Sequence, residues 1–248
     1  MPNLNALLPH HQPVDIFLEM YKGKTISVVI PCLNEEEGIG GVIESIPDFV
    51  DEVLVVDNGS EDRSVEIATS LGARVVVEPR RGYGRAYRTG LESATSEIIA
   101  TTDADGTYPI HLLAALLDEF EARGLDFASA SRFPLERKDA MSLRNIIGNK
   151  VFTICARLLF SAAFNDILSG MWVFKREMLQ KMRLESDGWS FSQDIKIEAF
   201  SVNGSRCGEI RIPYAVRLGQ VKLPAWRAGV SALVELFLRR LRKRRRRD

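Results

Sequence analysis

Two carboxylates in the sequence Asp103-Ala104-Asp105 have the spacing and position expected of a metal site. They follow the apolar run 97–101 and precede Gly106, so we expect them at the end of a buried strand. Mg²⁺ takes one or two carboxylates and completes its shell with water and substrate phosphates, and Mn²⁺ accepts the same oxygen ligands. We therefore predict that Asp103 and Asp105 hold one of these ions. A solvated turn is the alternative interpretation.

Polar residues also follow the first two apolar runs of the chain. Glu35 comes after the run 25–31, and Asp57 ends the next run in the sequence VVDNGS. Because a carboxylate at a strand end can accept hydrogen bonds from a ribose, we predict that Asp57 contributes to a nucleotide site. Helix capping by Ser60 is the alternative role for this turn.

A basic loop with two glycines follows the third apolar run and reads RRGYGR. Its amides and guanidiniums, including Gly82 and Arg85, are suited to a pyrophosphate or a ribose. The loop does not match the dinucleotide-binding fingerprint, because Tyr87 stands where the third glycine belongs. A flexible surface loop is the alternative.

Another pair of cations, Arg217 and Lys222, lies in the sequence RLGQVK. If the chain folds back between them, both side chains can reach one anion, which would add positive charge beside a phosphate. A solvated strand edge explains the pair equally well.

The order of the elements brings these polar clusters to one place. Apolar runs predict strands at 25–31, 52–56, 74–77, 97–101 and 125–130, with helices between successive strands. This alternation predicts an α/β fold with a doubly wound, Rossmann-like and mostly parallel sheet. In such sheets, ligands bind beyond the carboxyl ends of the strands, where the strand order reverses.

The pattern is less regular after residue 130. Helical spacing predicts helices over 142–164, 193–201 and 226–241, and short strands are predicted at 171–174 and 209–212. We divide the chain into a lead-in at 1–23, a main domain at 24–224, and an amphipathic helix with a basic tail at 225–248.

Composition and charge indicate the compartment and the partners. Three separated cysteines, without CxxC or Cys/His spacing, indicate a reducing compartment and neither a zinc site nor a disulfide framework. The formal net charge of zero conceals a basic end that reads RRLRKRRRRD. An amphipathic helix with such a tail suits an anionic membrane surface, so we predict peripheral attachment at the cytoplasmic face of a membrane. A solubilising tail is the alternative.

The ordered segments of the chain resemble family 2 glycosyltransferases, in the branch of the dolichyl-phosphate mannose and glucose synthases. The resemblance runs from about residue 25 to 224 and rests on ISVVIPCLNEEEGI, VLVVDNGSEDRS, RGYGRAYRTG, IIATTDADGTYP, DILSGMWVFKREML and IRIPYAVRLGQVKL. It implies a GT-A fold with a small additional edge sheet. It also implies inverting transfer of a hexose from a UDP- or GDP-sugar to a polyprenyl or dolichyl phosphate.

The same resemblance implies roles for single residues. The base and ribose pocket would be lined by Pro31, Leu33, Glu35 and Asp57. The metal and the diphosphate would be held by Asp103, Ala104 and Asp105, with Arg217 and Lys222 facing phosphates. Arg132 and Arg144 match positions that meet the acceptor phosphate. Thr107 stands where mannose synthases carry a metal-binding glutamine, and the segment SQDIKIEA is closer to relatives that use UDP-sugars.

Two other functions remain open from the sequence. One is a soluble transferase that acts on a glycan or lipid hydroxyl, for which Asp194 is the candidate general base. A phosphate acceptor, by contrast, is largely ionised near neutral pH and needs no strong base. The other is a non-catalytic protein that binds nucleotide sugars or, through its tail, nucleic acid. The intact carboxylate pair favours an enzyme, and nucleic acid is the disfavoured partner.

Overall fold

The computed structural model describes residues 21–137, 139–219 and 233–241. Most of the predicted lead-in, Lys222, and the basic tail after Leu241 lie outside these ranges. The strands are β1 (Ile26–Cys32), β2 (Glu52–Asp57), β3 (Arg74–Val77), β4 (Ile98–Thr101), β5 (Phe127–Ser131), β6 (Trp172–Lys175) and β7 (Cys207–Arg211). The helices are α1 (Ile39–Glu44), α2 (Ser64–Ser70), α3 (Tyr83–Ser93), α4 (Leu113–Ala122), α5 (Leu143–Phe160), α6 (Met178–Lys181) and α7 (Phe191–Ala199), and residues 233–241 form α8.

All seven named strands belong to one sheet, in the order β3-β2-β1-β4-β6-β5-β7. Neighbouring strands from β3 to β4 are parallel, and so are β5 and β7. β6 runs antiparallel to both β4 and β5. The small edge sheet expected from the sequence is thus part of the main sheet, as its β6-β5-β7 end.

The central strands are apolar throughout because helices cover both faces of the sheet. In β1, Val28 and Ile30 pack in a cluster with side chains of α1, α2 and α4. Val29 points to the opposite face and packs with α3, α6 and α7. Successive side chains of a strand alternate between faces, so a strand buried on both faces needs an apolar residue at nearly every position.

A third apolar cluster joins α5, α7 and α8. It contains Phe152 and Ala156 of α5, Ile197 of α7 and Leu236 of α8. α5 ends at Phe160 rather than at the predicted residue 164, because the next residue, Ser161, adopts a left-handed conformation with φ of 53°. Among the helices of the described ranges, none is long and apolar enough to cross a membrane.

The strand order determines where a ligand would bind. β1 lies between β2 and β4, so the winding of the sheet reverses between β1 and β4. The residues that follow these two strands therefore border the crevice in which doubly wound proteins bind their ligands. Glu35 follows β1 and the Asp103–Asp105 segment follows β4, so both candidate groups lie at this reversal.

Candidate active site

Asp105 lies at the centre of a network of hydrogen bonds and ion pairs. One of its oxygens accepts hydrogen bonds from the amide of Thr107 at 3.0 Å and the hydroxyl of Thr107 at 2.7 Å. The other oxygen lies 2.6 Å from a guanidinium nitrogen of Arg217, and the second terminal nitrogen of Arg217 lies 2.6 Å from Glu35. Arg217 thus bridges the turn after β4 to the turn after β1. The predicted donor-site residues Glu35, Asp105 and Arg217 come together, although they are far apart in the sequence.

Backbone contacts hold Arg217 in this position. The amide of Leu218 donates to the carbonyl of Asp105 at 3.0 Å, and the amide of Ala215 donates to the carbonyl of Thr107 at 3.0 Å. The start of α1 also approaches the turn closely, since a Cβ on Gly38 would lie 2.5 Å from the carbonyl oxygen of Ala104. A side chain at that position would therefore displace the carboxylate turn.

Asp103 is half-buried against two tyrosines of α3. It accepts hydrogen bonds from the hydroxyls of Tyr83 at 3.1 Å and Tyr87 at 3.2 Å. Burial, and then the nearby charge of Asp105, raise the pKa of Asp103 to about 7. Among the residues the structure describes, Asp103 forms no ion pair, so its negative charge is poorly compensated.

Gly170 completes the wall of the site beside Asp103. A Cβ at this position would lie 2.7 Å from the hydroxyl of Tyr83 and 3.3 Å from a carboxylate oxygen of Asp103. Its carbonyl accepts a hydrogen bond from Tyr87 at 3.2 Å, and its amide donates to the hydroxyl of Tyr108 at 2.6 Å. A side chain at this position would require the hydroxyl of Tyr83 to shift.

The aromatic residues around Asp103 were missed by sequence reasoning. The ring of Tyr83 stacks on Trp189 with centroids 4.5 Å apart and an angle of 11° between the planes, and Tyr87 stacks on Phe191 at 5.5 Å. Trp189 is 45% exposed, so this stack lies at the surface. The available signal was the i, i+4 spacing of Tyr83 and Tyr87, which puts both hydroxyls on one helix face.

The predicted base and ribose pocket lies at the ends of β1 and β2. Pro31 pairs in register with Val56, and Leu33 and Glu35 follow β1. The two oxygens of Asp57 accept the amides of Gly59 at 3.2 Å and Ser60 at 2.9 Å. Asp57 therefore orders its own turn. The alternative that Ser60 caps the next helix is wrong, because Arg63 precedes α2 and the Ser60 hydroxyl accepts the amide of Asn34 at 2.9 Å.

The basic loop before α3 is held by neighbouring loops. Asn58 accepts a hydrogen bond from the amide of Gly82 at 2.7 Å. Arg85 donates to the carboxylate of Asp187 at 2.7 Å, and a Cβ on Gly82 would lie 2.4 Å from the carbonyl oxygen of Asp187. The guanidinium of Arg85 is thus paired with a carboxylate in this structure. Gly82 allows the two loops to pack closely.

The two arginines predicted to meet an acceptor phosphate lie in different environments. Arg132 is buried and forms a bidentate pair with Asp166, with nitrogen–oxygen distances of 2.7 and 2.8 Å. Arg144 is exposed near the start of α5. Asn149 of α5 also donates to Asp166 at 2.8 Å, and Lys196 donates to the carbonyl of Asp166 at 2.5 Å. Burial would raise the pKa of Asp166, but the Arg132 charge and these hydrogen bonds hold it well below its usual range.

Asp194, the candidate base for a hydroxyl acceptor, is buried in α7. It accepts the amides of Glu185 at 3.0 Å and Ser186 at 2.9 Å, and it forms an ion pair with Arg239 of α8. Burial raises the pKa of Asp194, while Arg239 acts in the opposite direction. These contacts tie α7 to α8 and to the loop that packs against α3.

The carboxylate pair fits a divalent cation. Asp103 carries a poorly compensated charge, and Asp105 already attracts the cationic group of Arg217. Within the described residues no cluster of three or more His, Cys, Asp or Glu side chains could hold a metal by itself. Mg²⁺ and Mn²⁺ do not need such a cluster, since one or two carboxylates suffice when substrate phosphates supply further oxygens.

Comparison with known proteins gives consistent matches along the chain. The model of the family described as glycosyl transferase family 2 matches residues 27–183. A dolichyl-phosphate hexose transferase of Haloferax volcanii is 33% identical over 214 residues, which are 85% of this chain and 92% of the relative. A polyprenol monophosphomannose synthase of Mycolicibacterium smegmatis is 31% identical, over 79% of this chain and 80% of the relative.

A similar fold is found in a solved structure of glucosyl-3-phosphoglycerate synthase from Mycobacterium tuberculosis in complex with Mn²⁺, UDP and phosphoglyceric acid. The TM-score is 0.71 and the sequences are 26% identical. The match covers 90% of this chain and 81% of the solved one.

Proposed function

The chain belongs to glycosyl transferase family 2, and we propose that it transfers a hexose from a nucleotide sugar to a polyprenyl phosphate, with inversion and with Mg²⁺ or Mn²⁺. The enzyme class and the branch follow from the relatives, which include a dolichyl-phosphate hexose transferase and a polyprenol monophosphomannose synthase. The acceptor, the metal and the stereochemistry are our proposal for this chain.

The observation that carries the proposal is the group formed by Glu35, Asp105 and Arg217 beside Asp103, at the reversal of the sheet. Such a group combines two carboxylates that can hold a cation with a guanidinium that can pair with a phosphate. The nucleoside would lie toward Asp57 and Leu33, and the diphosphate would lie between Asp103 and Arg217.

The chain's own residues then orient the reactants. Glu35 and Asp57 position the nucleoside, and Arg217 exchanges its carboxylate partners for the diphosphate as negative charge develops there. Asp103 and Asp105 would hold a divalent ion, which would supply Lewis-acid stabilisation of the leaving diphosphate. An acceptor oxygen forms the new bond to the anomeric carbon while the bond to the diphosphate breaks, and the diphosphate leaves with the electron pair.

We assign acceptor positioning to Arg132 and Arg144. The Arg132–Asp166 pair fixes one guanidinium near the loop that ends at Gly170, next to Asp103. An acceptor phosphate is largely ionised near neutral pH, since its second pKa is about 6, and it needs positioning more than a strong base. Residues 226–248 would bring the enzyme to the cytoplasmic face of an anionic membrane, where such a lipid is available.

A second function is favoured by the solved structure that contains UDP and phosphoglyceric acid. In this version the donor is a UDP-sugar and the acceptor is a hydroxyl, so a general base is required. Asp194 is the candidate from the sequence, but its carboxylate is paired with Arg239 and two amides. If Asp194→Asn abolishes transfer while donor binding and folding persist, the result favours a hydroxyl acceptor over a phosphate acceptor.

The test is a donor and acceptor panel with purified protein. Labelled UDP- and GDP-sugars are incubated with Mn²⁺ or Mg²⁺ and a polyprenyl phosphate in detergent, and label is measured in the lipid phase. We expect label from one donor, dependence on the metal, and loss of at least about a hundredfold in kcat for Asp105→Ala. Asp139→Ala, which removes an exposed carboxylate, is the matched control.

Two results would contradict the proposal. Full metal-dependent turnover by Asp105→Ala would exclude the carboxylate pair from the reaction. Nucleotide release without label in the lipid would move the acceptor to a hydroxyl compound.

A further inference from the structure

The solvent-facing side of α5 is apolar. Leu143, Ile147, Val151, Ile154 and Leu158 are between 47% and 78% exposed. At 3.6 residues per turn, these five positions fall within roughly 80° of arc, so they form one continuous stripe along the helix. We call it the α5 stripe. A single exposed apolar residue is ordinary, whereas a contiguous apolar patch marks an interaction site.

The opposite face of α5 is buried and partly polar. Asn149, Phe152, Thr153 and Ala156 face the protein, and Asn149 donates to Asp166. The helix thus has two sides with different partners. Its inner side contacts the Arg132–Asp166 pair, and its outer side has no partner among the described residues that would bury it.

α8 repeats the arrangement. Leu236 and Arg239 are buried, and Leu236 packs in the same cluster as Phe152 of α5. The other face of α8 exposes Val234, Phe237, Leu238 and Leu241, by 42% to 57% of their surface. Two helices that share one core cluster therefore both present apolar side chains outward.

Basic residues outnumber acidic ones around these faces, and Glu235 is the one acidic residue of α8. Between Asp139 and Asp166 the sequence contains no acidic residue, while Arg144, Lys150 and Arg157 are present. On the helix, Arg144 and Lys150 flank the α5 stripe on its two sides. After α8 begins, residues 239–247 contain eight basic residues out of nine.

We propose that the α5 stripe and the exposed face of α8 together form a docking surface for an anionic lipid bilayer. Apolar side chains bordered by Lys and Arg match the boundary between acyl chains and anionic headgroups. A second copy of this chain fits less well, because pairing of two such surfaces would bring their cations together. This inference rests on the proposed function and deepens it, since α5 would connect the bilayer to the residues assigned to the acceptor phosphate.

The experiment measures binding to vesicles of phosphatidylcholine alone and of an equimolar mixture with phosphatidylglycerol. The test variant is Ile147→Gln/Ile154→Gln/Leu158→Gln in the full chain. We expect its partition coefficient on anionic vesicles to fall at least about tenfold, because three apolar side chains no longer enter the bilayer. Val77→Gln is the control. Val77 is 62% exposed in the edge strand β3, and this variant should bind vesicles as the wild type does.

A parallel assay separates this inference from the proposed function. The same variant is tested on a long-chain polyprenyl phosphate in vesicles and on a short-chain isoprenyl phosphate in solution. Docking predicts a loss of about tenfold or more on the vesicle acceptor and unchanged turnover on the soluble one. If the wild type uses neither acceptor but still binds anionic vesicles through the stripe, the proposed function fails and the docking surface stands.

Three results would overturn the docking surface. In the first, the test variant binds vesicles as strongly as the wild type does. The second is a lower melting temperature of the variant without vesicles, which would mean that protein covers the stripe. The third is a wild-type dimer that becomes a monomer in the variant, which would assign the stripe to a second copy.

Discussion

Asp103 and Asp166 are two carboxylates in neighbouring parts of the molecule, and their surroundings shift their pKa values in opposite directions. Asp166 is paired with Arg132 and also accepts a hydrogen bond from Asn149, so its pKa is low. Asp103 faces two tyrosine hydroxyls and lies near Asp105, so its pKa is raised. Arg132 compensates the charge of Asp166 directly, whereas Asp103 receives hydrogen bonds from two tyrosines and forms no ion pair within the described residues.

The largest effect is expected where the compensated pair is broken. Asp166→Asn leaves the buried charge of Arg132 without its partner, so we expect the free energy of unfolding to fall by about 3–5 kcal/mol. The same substitution at Asp103 removes a poorly compensated charge and should leave stability unchanged or slightly higher. Urea unfolding of both variants measures the difference, and equal losses would contradict the comparison.

Added metal should compensate Asp103 and Asp105 but not Asp166. At a Mn²⁺ concentration a hundredfold above its dissociation constant, linkage predicts stabilisation of about 2.7 kcal/mol. Thermal unfolding with Mn²⁺ and with EDTA measures this effect. We expect it to disappear in Asp105→Ala and to persist in Asp139→Ala. A Mn²⁺ effect that survives in Asp105→Ala would place the ion elsewhere.

The raised pKa of Asp103 makes the stability of the metal-free protein depend on pH. Between the usual value of 3.8 and the folded value of about 7, the folded state keeps a proton that the unfolded state has lost. Stability should therefore fall as pH rises through this window, by at most about 1.4 kcal/mol per pH unit. Urea midpoints at several pH values test this, with Asp103→Asn as reference. Parallel curves for the two proteins would contradict the assignment.

The smallest effect is expected at an exposed ion pair. Arg63 and Glu66 lie 3.0 Å apart on α2, and their side chains are 69% and 67% exposed. Arg63→Gln should change the free energy of unfolding by at most about 0.5 kcal/mol, because water screens such pairs. Urea unfolding measures this change. If Arg63→Gln lowered the free energy of unfolding as much as Asp166→Asn does, burial would not explain why the Arg132–Asp166 pair contributes more than the Arg63–Glu66 pair.

The sequence was sufficient to predict the α/β GT-A fold, which the sheet and the solved relative confirm. Continuous apolar runs identified the strands because both faces of the sheet are covered. Because the carboxyl ends of parallel strands lie at the same edge of a sheet, the sequence also predicted that the polar residues after these strands lie close together. The roles of Asp103, Asp105 and the other candidate residues remain predictions.

Contacts between distant segments could not be read from local patterns. Arg217 reaches Asp105 across 112 positions, and Arg132 reaches Asp166 across 34. Spacing suggested that Arg217 and Lys222 would meet an anion, but it did not show that carboxylates would hold Arg217 in this structure. The outward apolar face of α5 was also hidden, because helical periodicity shows that a helix has apolar positions and not which of them are covered.

The antiparallel strand β6 affects how the chain is made. β6 separates β4 from β5 in the sheet, yet it is synthesised after both of them. While the nascent chain lacks residues 172–175, β4 has an unpaired edge and β5 has no partner on that side. Exposed strand edges are sites of aggregation, so the interval between these segments is the vulnerable stage of synthesis. A ribosome that stalls before β6 would present a four-stranded sheet in which the edge of β4 that β6 later covers is unpaired.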